Sequence, residues 1–572
     1  MTDISRRRFL QYSVGVGAAV TFAPPGAVLT SAGTNSASTV GPTLEKFVQP
    51  LPLPGAGLVV ATPSASNHYS FTQRQIERRL HPGLPRTPIW AYDDGSGLEG
   101  QAGSFGMVVS VRSGTPLTVD FTHDLPVTYP EWIPVDTRLT EGGTSDVRVM
   151  THLHGGFVAA DSDGNPAVTP SGFSRGQTQT VHYPNQAPQN PATLMWFHDH
   201  GLGTTRLNVF AGLAAAYVVR DANDTGAEPN PVGIPGGAYE IPLVIQDRQF
   251  NANGTFRYPT STIGGVTWIG EYFGNVMLVN GKVWPYLEVE PRMYRFRILN
   301  GCNARILDLG LSGPRIWQIG AEGGMWDKPI PIKALVLAPA ERADVIVDFN
   351  GLAGQTMQLR NSKPPAPVAT PAPNLTAVMQ FRVGTKVSRP GPSTVPTSLK
   401  GGRAAVIDGP PAQRRVITLN EIGAETKDWY LNLDGSRFGQ GQPQTPKLGT
   451  VEEWVYVNLT GDTHPMHTHL FTHKVIGRTP FDVDAYLDAY GGPDGAPGGS
   501  DPTPFATGAM QPPAPEERGF KDTVKVNPGY FTTIRAKIEL PAGVTAPQSY
   551  VHHCHIVEHE DNDMMEAFVV SP

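Results

Sequence analysis

Cysteine is nearly missing from this chain. Only Cys302 and Cys554 occur among 572 residues, and no Cys-x-x-Cys pair exists. Closed zinc sites favour cysteines paired at short spacing, so zinc is the weaker metal expectation. Charge is scarce as well, at 17% Asp, Glu, Lys and Arg with a net charge of −7. With no basic stripe, that balance argues against a nucleic-acid partner. The 13 methionines are scattered rather than clustered. The N-terminal apolar run, Val14 to Val20, is short and rich in Gly and Ala, too weak for a transmembrane anchor.

Turn formers are plentiful, with 63 Gly and 55 Pro. Set between alternating apolar runs such as Leu117-Thr118-Val119-Asp120-Phe121, they predict an all-β protein, and the length predicts several domains. Ser5-Arg6-Arg7-Arg8-Phe9-Leu10 reads as a twin-arginine signal, with residues 1–44 as signal peptide and flexible N-terminus. Export by the twin-arginine machinery to the periplasm, envelope or exterior is the expectation. The body divides at Pro- and Gly-rich stretches into domains 45–225, 238–385 and 412–572, with 386–411 as a Pro-rich linker. A short turn before an alternating strand recurs at Ser113–Val119, Leu287–Arg292 and Lys447–Glu452, which indicates three similar β-sandwiches.

Histidine carries the chemistry. His152 and His154, His198 and His200, His467 and His469, and His553 and His555 are four His-x-His pairs, each with both imidazoles on one face of a strand. Cys554 points to the opposite face from His553 and His555, where His559 and Met564 of the following loop can join it. His464, at odd spacing before its pair, supplies a second imidazole. One thiolate, two imidazoles and a thioether are the ligands of a blue-copper site. A lone His-x-His pair is as readily an ordinary buried pair, but four clusters with Cys and Met in place are not. His68, His81, His123, His182, His473 and His552 fall outside the clusters. Cys302 reads as a small buried hydrophobe, and with Cys554 given to metal no disulfide is expected.

These motifs resemble the copper signatures of three-domain multicopper oxidases. The tail His553 to Met565 is most similar to the bacterial branch of spore-coat laccases, bilirubin oxidases and phenoxazinone synthases. The resemblance spans residues 152 to 564 and implies three consecutive cupredoxin-like Greek-key β-sandwich domains. It also implies four copper ions. His464, Cys554, His559 and Met564 resemble the type 1 ligands, and His152 and His467 those of type 2. His154, His198 and His553 resemble one set of the type 3 pair, and His200, His469 and His555 the other. The middle domain supplies no cluster. Cys554 would relay electrons to His553 and His555, while Glu560 and Asp163 match acids that assist oxygen reduction in the laccase branch. Without the resemblance, the turn Asp161-Ser162-Asp163-Gly164 reads as readily as a plain Asx turn.

The activity so implied is one-electron oxidation of a small aromatic reductant, a phenol or aminophenol, coupled to reduction of dioxygen to water. Oxidation of Cu(I) in copper tolerance is the alternative, disfavoured because soft thioethers bind Cu(I) and the methionines are dispersed. A copper-free envelope protein of the same fold is disfavoured by the complete ligand set. The Gly-, Pro- and Asp-rich insert Asp482 to Arg518 is expected to form part of the rim over the type 1 copper.

Overall fold

The computed structural model describes residues 41–96, 107–186, 189–399, 407–424 and 426–572. Of the segment 1–44 read as signal peptide and flexible N-terminus, residues 1–40, with the twin-arginine motif, lie outside them. Among the described residues, no helix is long and apolar enough to cross a membrane.

Six sheets pair into three β-sandwiches along the chain. In the first, a four-stranded sheet of Thr87–Asp93, His68–Arg78, Leu117–Asp124 and Thr178–Tyr183 faces one of Val108–Arg112, Ala214–Arg220, Thr193–Asp199 and Thr151–His154. Strict alternation explains the inner face: Leu117, Val119, Phe121 and His123 are buried while the residues between them are not. The second sandwich pairs a seven-stranded with a five-stranded sheet between Glu240 and Val383. The third pairs a five-stranded sheet with the strands Thr523–Val526, His464–Thr468, Gln548–Cys554 and Met565–Val570.

Each sandwich repeats one device, an early strand paired in parallel with a later one. His68–Arg78 lies beside Leu117–Asp124, Glu240–Arg248 beside Met293–Asn300, and Gln413–Ile422 beside Val451–Asn458. Parallel neighbours cannot be joined by a hairpin, so the chain must cross over, as Greek-key sandwiches do. The three turn motifs found in the sequence lead into the later strand of each pair.

Three histidine-bearing strands, Thr151–His154, Thr193–Asp199 and His464–Thr468, are buried at every position. An ordinary sandwich strand shows one face to solvent. These do not, because the first and third sandwiches press together there.

The insert departs from expectation. Phe481, Tyr486 and Ala496 pack with Val416, Val455, Val457 and Phe531 on the outer face of the third sandwich. Trp454 and Tyr456, alternating with those valines, face the other way into the cluster that holds Cys554 and Met564. The insert thus covers the side of the sheet away from Cys554 rather than forming the rim. Around Cys554 it is the second sandwich that packs, with Ile263, Val266, Trp268 and Phe273 in or against that cluster.

Candidate metal centres

Two donor sets sit back to back on the strand Gln548–Cys554. On one face, Cys554 Sγ lies 3.5 Å from His464 Nδ1 and 3.7 Å from His559 Nδ1, and the two nitrogens are 3.2 Å apart. The point equidistant from all three is about 2.0 Å from each, a metal–ligand bond length. Register places His464 there, since Met466 pairs with Cys554 across adjacent antiparallel strands. His559 comes from the short helix Val557–Glu560, and the loop is tied back where the Cys554 amide donates to the Met564 carbonyl (3.0 Å). Met564 is fully buried in the same apolar cluster as Cys554. Burial pushes the His464 imidazole down to about 3 and the Cys554 thiol well up. Both shifts favour neutral forms, and a bound cation offsets the cost of a buried thiolate. The Ile556 amide also donates to Sγ (3.4 Å).

The second set gathers eight imidazoles between the first and third sandwiches. His200 Nε2 and His469 Nε2 each approach His553 Nε2 to 3.2 Å. The rings of His154 and His198 lie 5.0 and 5.2 Å from that of His555. His152 stacks on His469 and His154 on His467. The structure therefore exchanges the two tail histidines between the expected groups: His553 belongs with His200 and His469, and His555 with His154 and His198. Spacing cannot distinguish two residues on one face. Position decides, because His553 lies within the strand, opposite His467, whereas His555 follows its end and reaches Trp196 and His198.

Burial and neighbouring imidazoles hold His154, His198, His200, His467, His469 and His555 well below the usual histidine range, so their rings are neutral. His152 Nε2, His154 Nδ1, His198 Nε2, His467 Nε2 and both His555 nitrogens are buried without a hydrogen-bond partner. Native proteins rarely leave so many buried polar atoms unsatisfied. Neutral, convergent lone pairs are what a cluster of imidazole-bound metal ions requires.

Comparison with known proteins agrees. Residues 408–572 match the multicopper oxidase family. A laccase of Haloferax volcanii is 36% identical over all of this chain and 91% of its own length. A laccase of Bacillus subtilis is 34% identical over 91% of this chain and 98% of its own. The crystal structure of a multicopper oxidase from Aquifex aeolicus superposes with a TM-score of 0.71 at 26% identity, covering 92% of this chain and all of that one. The chain belongs to the multicopper oxidase family.

Multicopper oxidases bind copper, and the donors described fit it: thiolate and imidazoles at one site, imidazoles alone at the other. Two buried acids brace the second site of this oxidase. Glu560 reaches His553 Nδ1 (3.1 Å) with one oxygen and His200 Nδ1 (3.3 Å) with the other. Asp163 accepts from His469 Nδ1 (2.7 Å), and its backbone carbonyl from His152 Nδ1 (2.6 Å). Burial raises the Asp163 carboxyl, and its Oδ1 has no hydrogen-bond partner. A carboxylate or carbonyl at the outer ring nitrogen fixes ring orientation and ligand basicity.

Several residues of this oxidase were not apparent in the sequence. Trp268 donates to the Glu558 carbonyl (2.9 Å), one residue from His559, and stacks edge-on with half-buried Trp429 at 4.8 Å. Glu271 Oε1 lies 3.8 Å from His559 Nε2, and burial with neighbouring Asp462 and Glu421 pushes its carboxyl well up. The one sequence signal was the aromatic run Trp268-Ile269-Gly270-Glu271-Tyr272-Phe273 inside a loop otherwise rich in Gly and Thr. Among the described residues, Cys302 is a buried free thiol, apart from both sets.

Proposed function

We propose that this multicopper oxidase is laccase-like, oxidising small phenols or aminophenols one electron at a time and reducing dioxygen to water. In this reading His464, Cys554, His559 and Met564 hold a type 1 copper, and His152 and His467 a type 2 copper. His154, His198 and His555, with His200, His469 and His553, hold the type 3 pair. Bound copper would supply the one-electron chemistry at the thiolate site and the dioxygen reduction at the histidine centre. The carrying observation is the continuity of His553-Cys554-His555: the sulfur faces one donor set while the flanking imidazoles enter the other.

The chain's own part is to orient and to hold protons. Glu560 sets its carboxylate beside His200 Nδ1 and His553 Nδ1, which favours Nε2 facing inward, and the Cys554 carbonyl accepts from His553 Nδ1 (3.1 Å). Asp163 does the same for His469, and its unpartnered Oδ1 can hold a proton beside the centre. Half-buried Trp429, packed edge-on against buried Trp268, gives an aromatic reductant a face on which to stack near His559. Export by the twin-arginine route belongs to the same proposal.

A second reading, oxidation of a metal ion, is favoured by Glu271 beside His559 and by Asp462 and Glu421, which neighbour Glu271. Carboxylate oxygens suit a hard divalent ion such as Fe(II) better than soft Cu(I). Oxygen uptake by the copper-loaded protein decides between them. Turnover with 2-aminophenol well above that with Fe(II) or Cu(I) supports the aromatic reading, and the reverse order sinks it.

A further inference from the structure

The middle sandwich supplies none of the proposed ligands, yet one of its side chains reaches the histidine centre. Arg342 opens the strand Arg342–Asp348 and is 1% exposed. Its Nη1 and Nη2 each donate to one oxygen of Asp522 at 2.7 Å, a bidentate fork. Its Nε donates to the Leu194 carbonyl (3.0 Å), on the strand that carries His198. One guanidinium thus ties the second sandwich to both of the others. The contact is tight, because a Cβ on Gly155, the residue after His154, would fall 2.8 Å from both Arg342 Nη2 and Asp522 Oδ2.

Asp522 touches two rings of the centre. Its Oδ1 lies 3.0 Å from His154 Nε2, and its backbone carbonyl accepts from His467 Nδ1 at 2.8 Å. His154 is thereby reversed relative to its neighbours. His152, His198, His200, His467, His469 and His553 all engage a carbonyl or carboxylate through Nδ1 and leave Nε2 facing the centre. His154 engages Asp522 and Thr523 through Nε2 and leaves Nδ1 free. A hydrogen bond at one ring nitrogen fixes which nitrogen is left to bind a metal. Lys521 with Glu322 and Lys525 with Glu341 seat this stretch on the second sandwich.

We propose that Arg342 is a positioning residue of the histidine centre. It holds the Asp522 carboxylate so that His154 presents Nδ1 to the metals, and so couples assembly of the oxygen-reducing centre to docking of the middle sandwich. The proposal rests on the copper reading above and adds to it a residue from a sandwich that holds no ligand.

The test is Arg342→Met and Arg342→Lys in the full-length, copper-loaded enzyme. Copper per chain, the visible absorption of the thiolate site, the near-ultraviolet absorption of the coupled pair and the fraction of copper seen by EPR are read together. Arg342→Met is expected to keep the visible band, weaken the near-ultraviolet band and raise the EPR-visible fraction. Its kcat should fall about tenfold or more at unchanged KM for the reductant. Arg342→Lys, which restores the charge but not the fork, should fall between it and wild type. If Arg342→Met does not fold, Arg342→Lys decides alone. A wild-type near-ultraviolet band and EPR fraction in the variant that decides would overturn the proposal. A wild-type protein that binds no copper would overturn the copper reading itself, and this inference with it.

Discussion

The thiolate site and the histidine centre share one strand but are built in opposite ways. Cys554, His559 and Met564 lie within eleven residues of chain, and His464 arrives on the adjacent antiparallel strand of the same sandwich. The eight histidines come from strands of two sandwiches and are braced from a third. The first site is a property of one domain, the second a property of an assembly. Damage to the sandwich interfaces should therefore spare the thiolate site and dismantle the histidine centre.

The largest effect should come from cutting the link between them. Cys554→Ser is expected to abolish the visible colour and reduce reductant-driven oxygen uptake by about a thousandfold or more, since Ser offers no soft thiolate. Copper analysis should still find the metal bound by the histidines. Loss of that metal too would show that the two sites do not form independently.

Next comes the interface. Arg206, fully buried, donates to Asp561 Oδ2 at 2.8 Å, and Asp561 also accepts from the amides of Thr205 and Arg206. This pair clamps the helix Thr205–Ala211, just after His200, to the tail just after Glu560. Arg206→Met removes the guanidinium that anchors the buried Asp561 carboxyl and should cost about 2–3 kcal/mol in a denaturant titration. The EPR-visible fraction should change at lower denaturant than the visible band does, and simultaneous loss would break the contrast.

Glu560→Gln should be milder. It keeps the shape but removes the charge between His200 and His553, and kcat should fall about 10- to 100-fold with the visible band intact. A shift in that band would mean that Glu560 acts on the thiolate site instead.

The smallest effect falls on the fold that carries both sites. Burial pushes the carboxyl of Asp434 up to about 8 and that of Glu566 up to about 7, and the two share a hydrogen bond. In the unfolded chain both ionise near pH 4, so between about pH 4 and 8 the folded state binds more protons. Stability should fall as pH rises through that window and level off above it. Glu566→Gln should flatten the slope of Tm against pH, gaining on the order of 1–2 kcal/mol at pH 8 with both absorption bands unchanged. An unaltered slope would contradict the assignment.

This contrast also explains what could be read from the sequence. The ligand types, the all-β class and the threefold repeat were visible because strand alternation and residue chemistry are local. The pairing of His553 and His555 was read the wrong way round, because same-face residues look alike until a partner strand is placed. The insert 482–518 was expected at the copper rim, yet its Tyr486 and Ala496 pack with the outer valines of the sheet. Arg342 and Asp522, 180 residues apart, form an ordinary Arg–Asp pair in sequence terms and acquire meaning only in three dimensions. The middle domain supplies no cluster in the sequence, yet it packs around Cys554 and reaches Asp522 through Arg342.

The most direct test is diffraction from copper-loaded crystals on either side of the copper absorption edge. We predict one anomalous peak bounded by His464, Cys554 and His559, and three among the eight histidines. His553 should lie with His200 and His469, and His555 with His154 and His198. No peak beside Cys554, or His553 bound with His154 and His198, would contradict the account.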